Sequence, residues 1–293
     1  MTKKTTEHGA FGRIAAFSMV ACAGAFAVLV PASGADTIPN FAPDSNIAWV
    51  AFAQDFAAPP SGPGPIVGDP AHKPKPGQPA FRVADLSNPI LQPWTREELR
   101  KANERALSGK PAYTPKERCW PNGVPGFDTY PVHPVYFQQT PKEVLMIWAE
   151  DHQVRHIYMN VPHSDQVTPS WFGESVGYYE NGDTLVVDTV GLNTRTFVDN
   201  FRTPHTEKLH VVERFHMIDG GKTLEADIHV EDPGAFTTAW NAVQHYHRIH
   251  ASGDPVDPRV SKGPLEEVVC AENNGDFFSE GLDPIPTALT PDF

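Results

Sequence analysis

The chain has 293 residues, with 36 acidic against 23 basic side chains and a formal net charge of −13. That excess of carboxylates excludes nucleic acid as a partner, because phosphate binding needs clustered cations, and it disfavours an anionic membrane surface on the same ground. What remains is a soluble, acid-surfaced protein that resists non-specific association.

In chain order, Lys3, Lys4 and Arg13 precede an apolar run from Ile14 to Val30, closed by the small residues Ala32-Ser33-Gly34-Ala35. This is the three-part plan of a secretory signal peptide, and the run is short for a membrane span. The pattern predicts a leader over 1–35, a mature chain beginning near Asp36 in the periplasm or medium, and no membrane span in that mature chain. Losing the leader leaves 20 basic and 35 acidic side chains, so the surface becomes more acidic still. Cys22 leaves with it. Cys119 and Cys270 remain, an even pair in a compartment that permits disulfides, and they read either as a bridge or as two buried thiols.

Residues 36–94 read as a Pro/Gly-rich arm, with Pro59-Pro60, Gly62-Pro63-Gly64-Pro65 and Lys73-Pro74-Lys75-Pro76-Gly77 and no sustained period. A single β domain with a leading helix is expected over 95–250, and an irregular tail over 251–293. The helix is marked by Thr95 as N-cap, Glu98 completing a capping box, and Gly109 past its end. After it a period of 2 sets in. It predicts strands over Glu143–Glu150, Gln153–Val161, Glu174–Glu180, Asp183–Val190, Leu209–Ile218, Thr223–Glu231 and Thr237–His247. The fold class is therefore mainly β, an antiparallel meander curling into a lipocalin-like barrel or half-barrel, because closure removes exposed edges.

Two turns fix which side chains share a face. Asn181-Gly182 predicts a two-residue hairpin loop, placing Tyr178 opposite Leu185 and Ser175 opposite Asp188. Asp219-Gly220-Gly221-Lys222 places Arg214 opposite Asp227, His216 opposite Glu225 and His210 opposite Glu231, complementary pairs suited to a solvated face. The other face of that ribbon is apolar from Leu209 to Val230, apart from Glu213. A third ribbon, turning at Asp151-His152, places Arg155 among Val144, Met146, Trp148, Ile157 and Met159. Each of these inward charges needs a partner, and the two could serve each other or a ligand.

Gly173-Glu174-Ser175-Val176-Gly177 has the letters of a serine-hydrolase nucleophile elbow, but the serine leads into the limb of a hairpin where an elbow requires a helix. In the histidine cluster His245, His247 and His250, His245 and His247 fall on the same side of a predicted strand, a spacing that could hold a metal, yet no third and fourth ligands are identifiable and neither HExxH nor a CxxC pair is present. His205 and His163 sit in loops after strands, where acid/base groups are often found. No P-loop or GxGxxG is present, so no cofactor is expected.

Several segments together resemble an exported family of soil and water bacteria, most of whose members carry no assigned activity. They are Cys119-x-Pro121-x-Gly123-x-Pro125, Arg155-His156-Ile157-Tyr158, Gly173-x-Ser175-x-Gly177, the run Gly182 to Thr189, the run His210 to Phe215, and Asp232-Pro233. The resemblance spans roughly Arg118 to Tyr246 and implies export and one β domain. It carries over no catalytic role. Asn160-Val161-Pro162 and Tyr178-Tyr179 depart from the pattern, which has Asp-Gly-Arg and Trp at those places.

The function expected from these features is cofactor-independent acid/base chemistry, as a lyase, isomerase or hydrolase, on a small hydrophobic or aromatic molecule. Glu213 with His205 or His163 would move the proton, and Arg155 would position an anion or oxygen. No metal is invoked. The alternatives are a lipocalin-like binding protein without chemistry and a serine esterase acting through Ser175.

Overall fold

Alternation of apolar and polar side chains runs through most of the nine described strands, and joining the first to the last closes them into a barrel with no open edge. The computed structural model describes residues 38–43, 47–73, 82–109, 114–129, 134–149 and 153–250, all within one compact unit. The expected leader, the tail with Cys270, and the turn residues Asp151 and His152 lie outside the described residues.

The strands are β1 (Ile47–Ala51), β2 (Val135–Gln139), β3 (Glu143–Trp148), β4 (Val154–Met159), β5 (Glu174–Glu180), β6 (Thr184–Val190), β7 (His210–Ile218), β8 (Thr223–Glu231) and β9 (Trp240–His250). They stand round the barrel in chain order. Every pairing is antiparallel except β4 with β5, which is parallel, so residues 160–173 return the chain from one end to the other. The barrel class expected from the sequence is the one that forms, but it is mixed: the all-antiparallel meander is broken at the parallel β4–β5 seam.

Two strands were not expected. β1 lies within the stretch that reads as an irregular arm, and all five of its residues are buried, so it shows no alternation. Ile47, Trp49 and Ala51 enter the main core, while Ala48 and Val50 form a smaller apolar cluster with Ile249. Other described residues of the arm are also built in, with Phe41, Phe56, Ile66, Ile90 and Leu91 buried in the same core. β2 is short and preceded by Pro131 and Pro134, which hide it as a strand.

The one α-helix among the described residues, α1 (Pro93–Leu107), begins two residues earlier than its expected cap. Gln92 is the N-cap and Pro93 takes the first helical position, where a missing N–H costs nothing. Thr95 is instead a buried helical residue whose hydroxyl donates to the Ala235 carbonyl at 2.7 Å, and Glu98 pairs with Lys101. Gly109 does follow the end, at φ +77°. The buried stripe of Thr95, Leu99, Asn103 and Ala106 seats the helix, and Asn103 exchanges hydrogen bonds with both backbone groups of Ala84.

The two ends of the barrel differ. One carries the short hairpin connections 140–142, 181–183 and 219–222; the other carries 52–134, 191–209 and 232–239. Side chains near that second end therefore lie beneath a cap of long connections.

Register explains what points inward. The β7–β8 ribbon pairs as its turn predicts, with Arg214 opposite Asp227, His216 opposite Glu225 and His210 opposite Glu231. In the β3–β4 ribbon Met146 lies opposite Arg155 and Val144 opposite Ile157, which keeps Arg155 on the apolar face expected for it. The β5–β6 hairpin differs by one residue. Asn181 and Gly182 have the positive φ that the turn needs, and the Asp183 amide bonds the Glu180 carbonyl, but Thr184 is the residue that pairs with Glu180. Asp183 is an extra residue in the loop. Ser175 therefore lies opposite Thr189, not Asp188, and Tyr179 rather than Tyr178 lies opposite Leu185.

Candidate functional site

Inward-facing polar residues from four strands meet beneath the cap. Arg155 from β4 bonds Glu213 of β7 at two points, Nη1 to Oε1 at 3.0 Å and Nη2 to Oε2 at 2.5 Å. Its Nε donates to Ser175 Oγ at 3.1 Å, Nη2 also donates to Thr189 Oγ1 at 2.8 Å, and Nη1 reaches Met146 Sδ at 3.9 Å. A guanidinium has five N–H groups, and here five acceptor contacts surround it. The Phe127 ring covers it, 5.1 Å from ring centroid to the guanidinium carbon. The side chains are 2% and 0% exposed, so the pair is sealed from water.

The cap contributes a second carboxyl. Gly126–Thr129 forms one 3-10 turn that places Phe127 over Arg155 and buries Asp128 completely. The turn is tied to the wall by Gln244 of β9, whose amide donates to the carbonyls of Asp128 and Ala53. Tyr246, also on β9, donates its hydroxyl to Asp128 Oδ1. Oδ2 of Asp128 has no hydrogen-bond partner of good geometry among the described residues.

Burial drives the Asp128 carboxyl well above its ordinary range, and the nearby Glu213 charge pushes it the same way; the Tyr246 hydroxyl and Arg155 pull against this. Burial also raises the Tyr246 phenol, as does the charge of Asp128. A second carboxyl in a dry interior beside one guanidinium is costly to ionise, which favours the protonated form of Asp128. The interior thus gathers a guanidinium, two carboxyl groups and a phenol.

The expected histidine partners of Glu213 are elsewhere. His205 is buried, its Nε2 2.8 Å from Thr196 Oγ1 and its Nδ1 2.9 Å from the Thr206 carbonyl oxygen; burial lowers its pKa. His163 lies on the outer wall, between Glu174 at 3.1 Å and Asp188 at 3.0 Å. Neither contacts Glu213. The residues that do share its space, Asp128 and Tyr246, were missed: Asp128 sits in a turn-rich stretch with no period, and Tyr246 reads as an ordinary core aromatic. The one available signal was parity, since Tyr246 falls on the inward side of β9.

Ser175 is 2% exposed and bonds Arg155 and Thr189 instead of an imidazole. Its motif glycines have packing reasons. Gly173 has φ +64°, and a Cβ there would lie 2.3 Å from the Val190 carbonyl oxygen. At Gly177 a Cβ would come 2.8 Å from Ile157 Cγ2 and 2.9 Å from the Val186 oxygen.

A cleft of about 540 Å³ opens on the outside of the barrel, between the exposed side chains of β4 (Val154, His156, Tyr158) and the returning segment with Trp171 and Phe172. Trp171 packs on Trp120 at 5.1 Å, and Phe172 meets Phe127 edge-on at 6.4 Å. Phe127 thus touches both the cleft wall and the Arg155 guanidinium.

No family model matches the chain, and no curated protein matches it.

Proposed function

We propose that the protein is an exported, cofactor-independent acid/base enzyme acting on a small hydrophobic or aromatic molecule. The observation that carries this reading is a second, fully buried carboxyl, Asp128, held by the Tyr246 hydroxyl beside the sealed Arg155–Glu213 pair and raised by burial and by the Glu213 charge. An acid kept neutral by burial is suited to donate a proton to a developing oxyanion, and a carboxylate fixed by arginine is suited to take one. In this reading Asp128 is the donor, Tyr246 orients it, Glu213 is the base and Arg155 holds the anionic form of the substrate. His205 and His163 have no part in it. Movement of the turn carrying Phe127 would admit the substrate.

Export rests on the leader pattern over 1–35, on the resemblance of residues 118–246 to an exported bacterial family, and on the even cysteine pair. In that compartment Cys119 bridges Cys270, and peptide mapping without reductant tests the bridge.

The test is mass-spectrometric screening of a small-molecule library in D₂O for turnover or deuterium uptake. Asp128→Asn and Glu213→Gln are each expected to lower the rate by about 10²–10⁴, the usual worth of a positioned acid or base. Undiminished turnover in both folded variants overturns the reading.

One observation favours a second reading, a lipocalin-like carrier: the ion pair is sealed while the aromatic cleft is open. Under it, Trp171→Ala abolishes ligand binding and Glu213→Gln leaves both binding and the ligand unchanged.

A further inference from the structure

The outer wall of the barrel carries its own ligand set, separate from the interior. His216 on β7, Glu225 on β8 and His245 on β9 are direct cross-strand neighbours. Strand pleat puts all three on the solvent side, and Asp227, two residues beyond Glu225, shares that face. His216 Nε2 lies 3.2 Å from Glu225 Oε1, and His245 Nε2 lies 2.6 Å from Glu225 Oε2. Donor atoms of His216, Glu225 and Asp227 all fall within 4.8 Å of one another.

We propose that His216, Glu225, Asp227 and His245 form a binding site for a divalent transition metal of the zinc type, clamping β7, β8 and β9 together. Two imidazoles and two carboxylates are the donor chemistry that such ions prefer. At bond lengths of about 2.1 Å a tetrahedral ion needs donors roughly 3.4 Å apart; the donors of His216, Glu225 and Asp227 lie within 4.8 Å of one another, and His245 would join them by turning in from its contact with Glu225. Asp227 stands two residues beyond Glu225 on the same outer face of β8, so two carboxylates converge with His216 at one place on the wall. Arg214, which faces Asp227, is also drawn toward Glu180 at 3.7 Å, so it does not neutralise the pair by itself. The sequence offered only His245 with its neighbours; the barrel supplies the missing ligands from two other strands.

The test is calorimetric titration of the purified mature protein with zinc chloride at neutral pH, with the metal content checked by elemental analysis. One ion per chain is expected, with affinity at least ten-fold weaker in His216→Ala and in Glu225→Gln. His156→Ala, which removes another His–carboxylate pair on the outer wall, should leave affinity unchanged. All four proposed ligands are at least partly exposed, so these variants should fold, and circular dichroism verifies it. Absence of stoichiometric binding overturns the proposal, as does binding that neither His216→Ala nor Glu225→Gln weakens.

Discussion

Arg155 and Glu213, 58 residues apart in the chain, meet across the barrel interior through two hydrogen bonds in a space closed to water. Removing one partner strands the other charge, whereas removing both strands neither. Arg155→Met or Glu213→Leu alone should cost about 3–5 kcal/mol, and the double variant should recover most of that loss. Urea denaturation of the four proteins in the cycle measures it, and additive single losses would show that the pair is not coupled.

Asp199 offers a test of buried charge without catalysis. It lies in the cap loop, accepts bonds from the Phe201 and Thr203 amides and the Thr203 hydroxyl, and burial pushes its pKa up to about 6. Since the folded value exceeds the unfolded one, its favourable contribution is complete below about pH 4 and is lost as pH rises through about 6. Asp199→Asn should therefore be near neutral at pH 4 and stabilising at pH 8, by up to about 3 kcal/mol. Melting curves across that range decide it, and a pH-independent difference would count against it.

On the outer wall, Asp188 sits 3.0 Å from both His163 and His210. Hydrogen bonding to Asp188 raises His210, and the same bond lowers Asp188. The histidine contribution is full below about pH 6.5 and fades as pH climbs through the raised folded value. The carboxylate contribution is present above about pH 4 and fades as pH falls through the lowered one. The melting-temperature gap between the parent and His210→Gln should thus be widest near pH 5–6 and shrink on either side. A gap that is flat with pH would remove the pair from the account.

The glycines of the Gly173-x-Ser175-x-Gly177 segment should be intolerant for steric reasons. Gly173→Ala meets both a strained φ and the Val190 carbonyl, and Gly177→Ala crowds the parallel seam between β4 and β5. Each should lose about 1–3 kcal/mol by crowding alone. Ser175→Ala keeps the packing and removes one acceptor from Arg155, a loss of about 1–3 kcal/mol if Nε is left unpaired. Denaturation midpoints rank the three, and fluorophosphonate labelling of Ser175 would reopen the esterase reading.

How legible all this was depended on whether one face of an element meets water. The β7–β8 ribbon was readable to the residue, because its outer face is charged and its inner face apolar, so Glu213 was visibly out of place. The same contrast put Arg155 inside. β1 was hidden because both of its faces are covered, leaving an apolar run flanked by prolines. The β5–β6 register was off by one because a sequence does not say whether Asp183 joins the ladder or the loop. Asp128 escaped because its position comes from a 3-10 turn held by distant contacts with Gln244 and Tyr246, which no local pattern records. The His216–Glu225–His245 row was half legible: the first pair followed from the turn, but the third strand's place beside it is a property of the closed sheet.

The pairing of β1 with β9 also orders events in time. A strand made early in synthesis hydrogen-bonds to the last strand of the wall, so the growing chain carries an unsatisfied edge until nearly all of it has emerged. Until then that edge is open to other chains, a recognised route to aggregation. Cutting the chain before Trp240 would remove the closing partner of both β1 and β8, and the product should be an insoluble fragment instead of a smaller barrel.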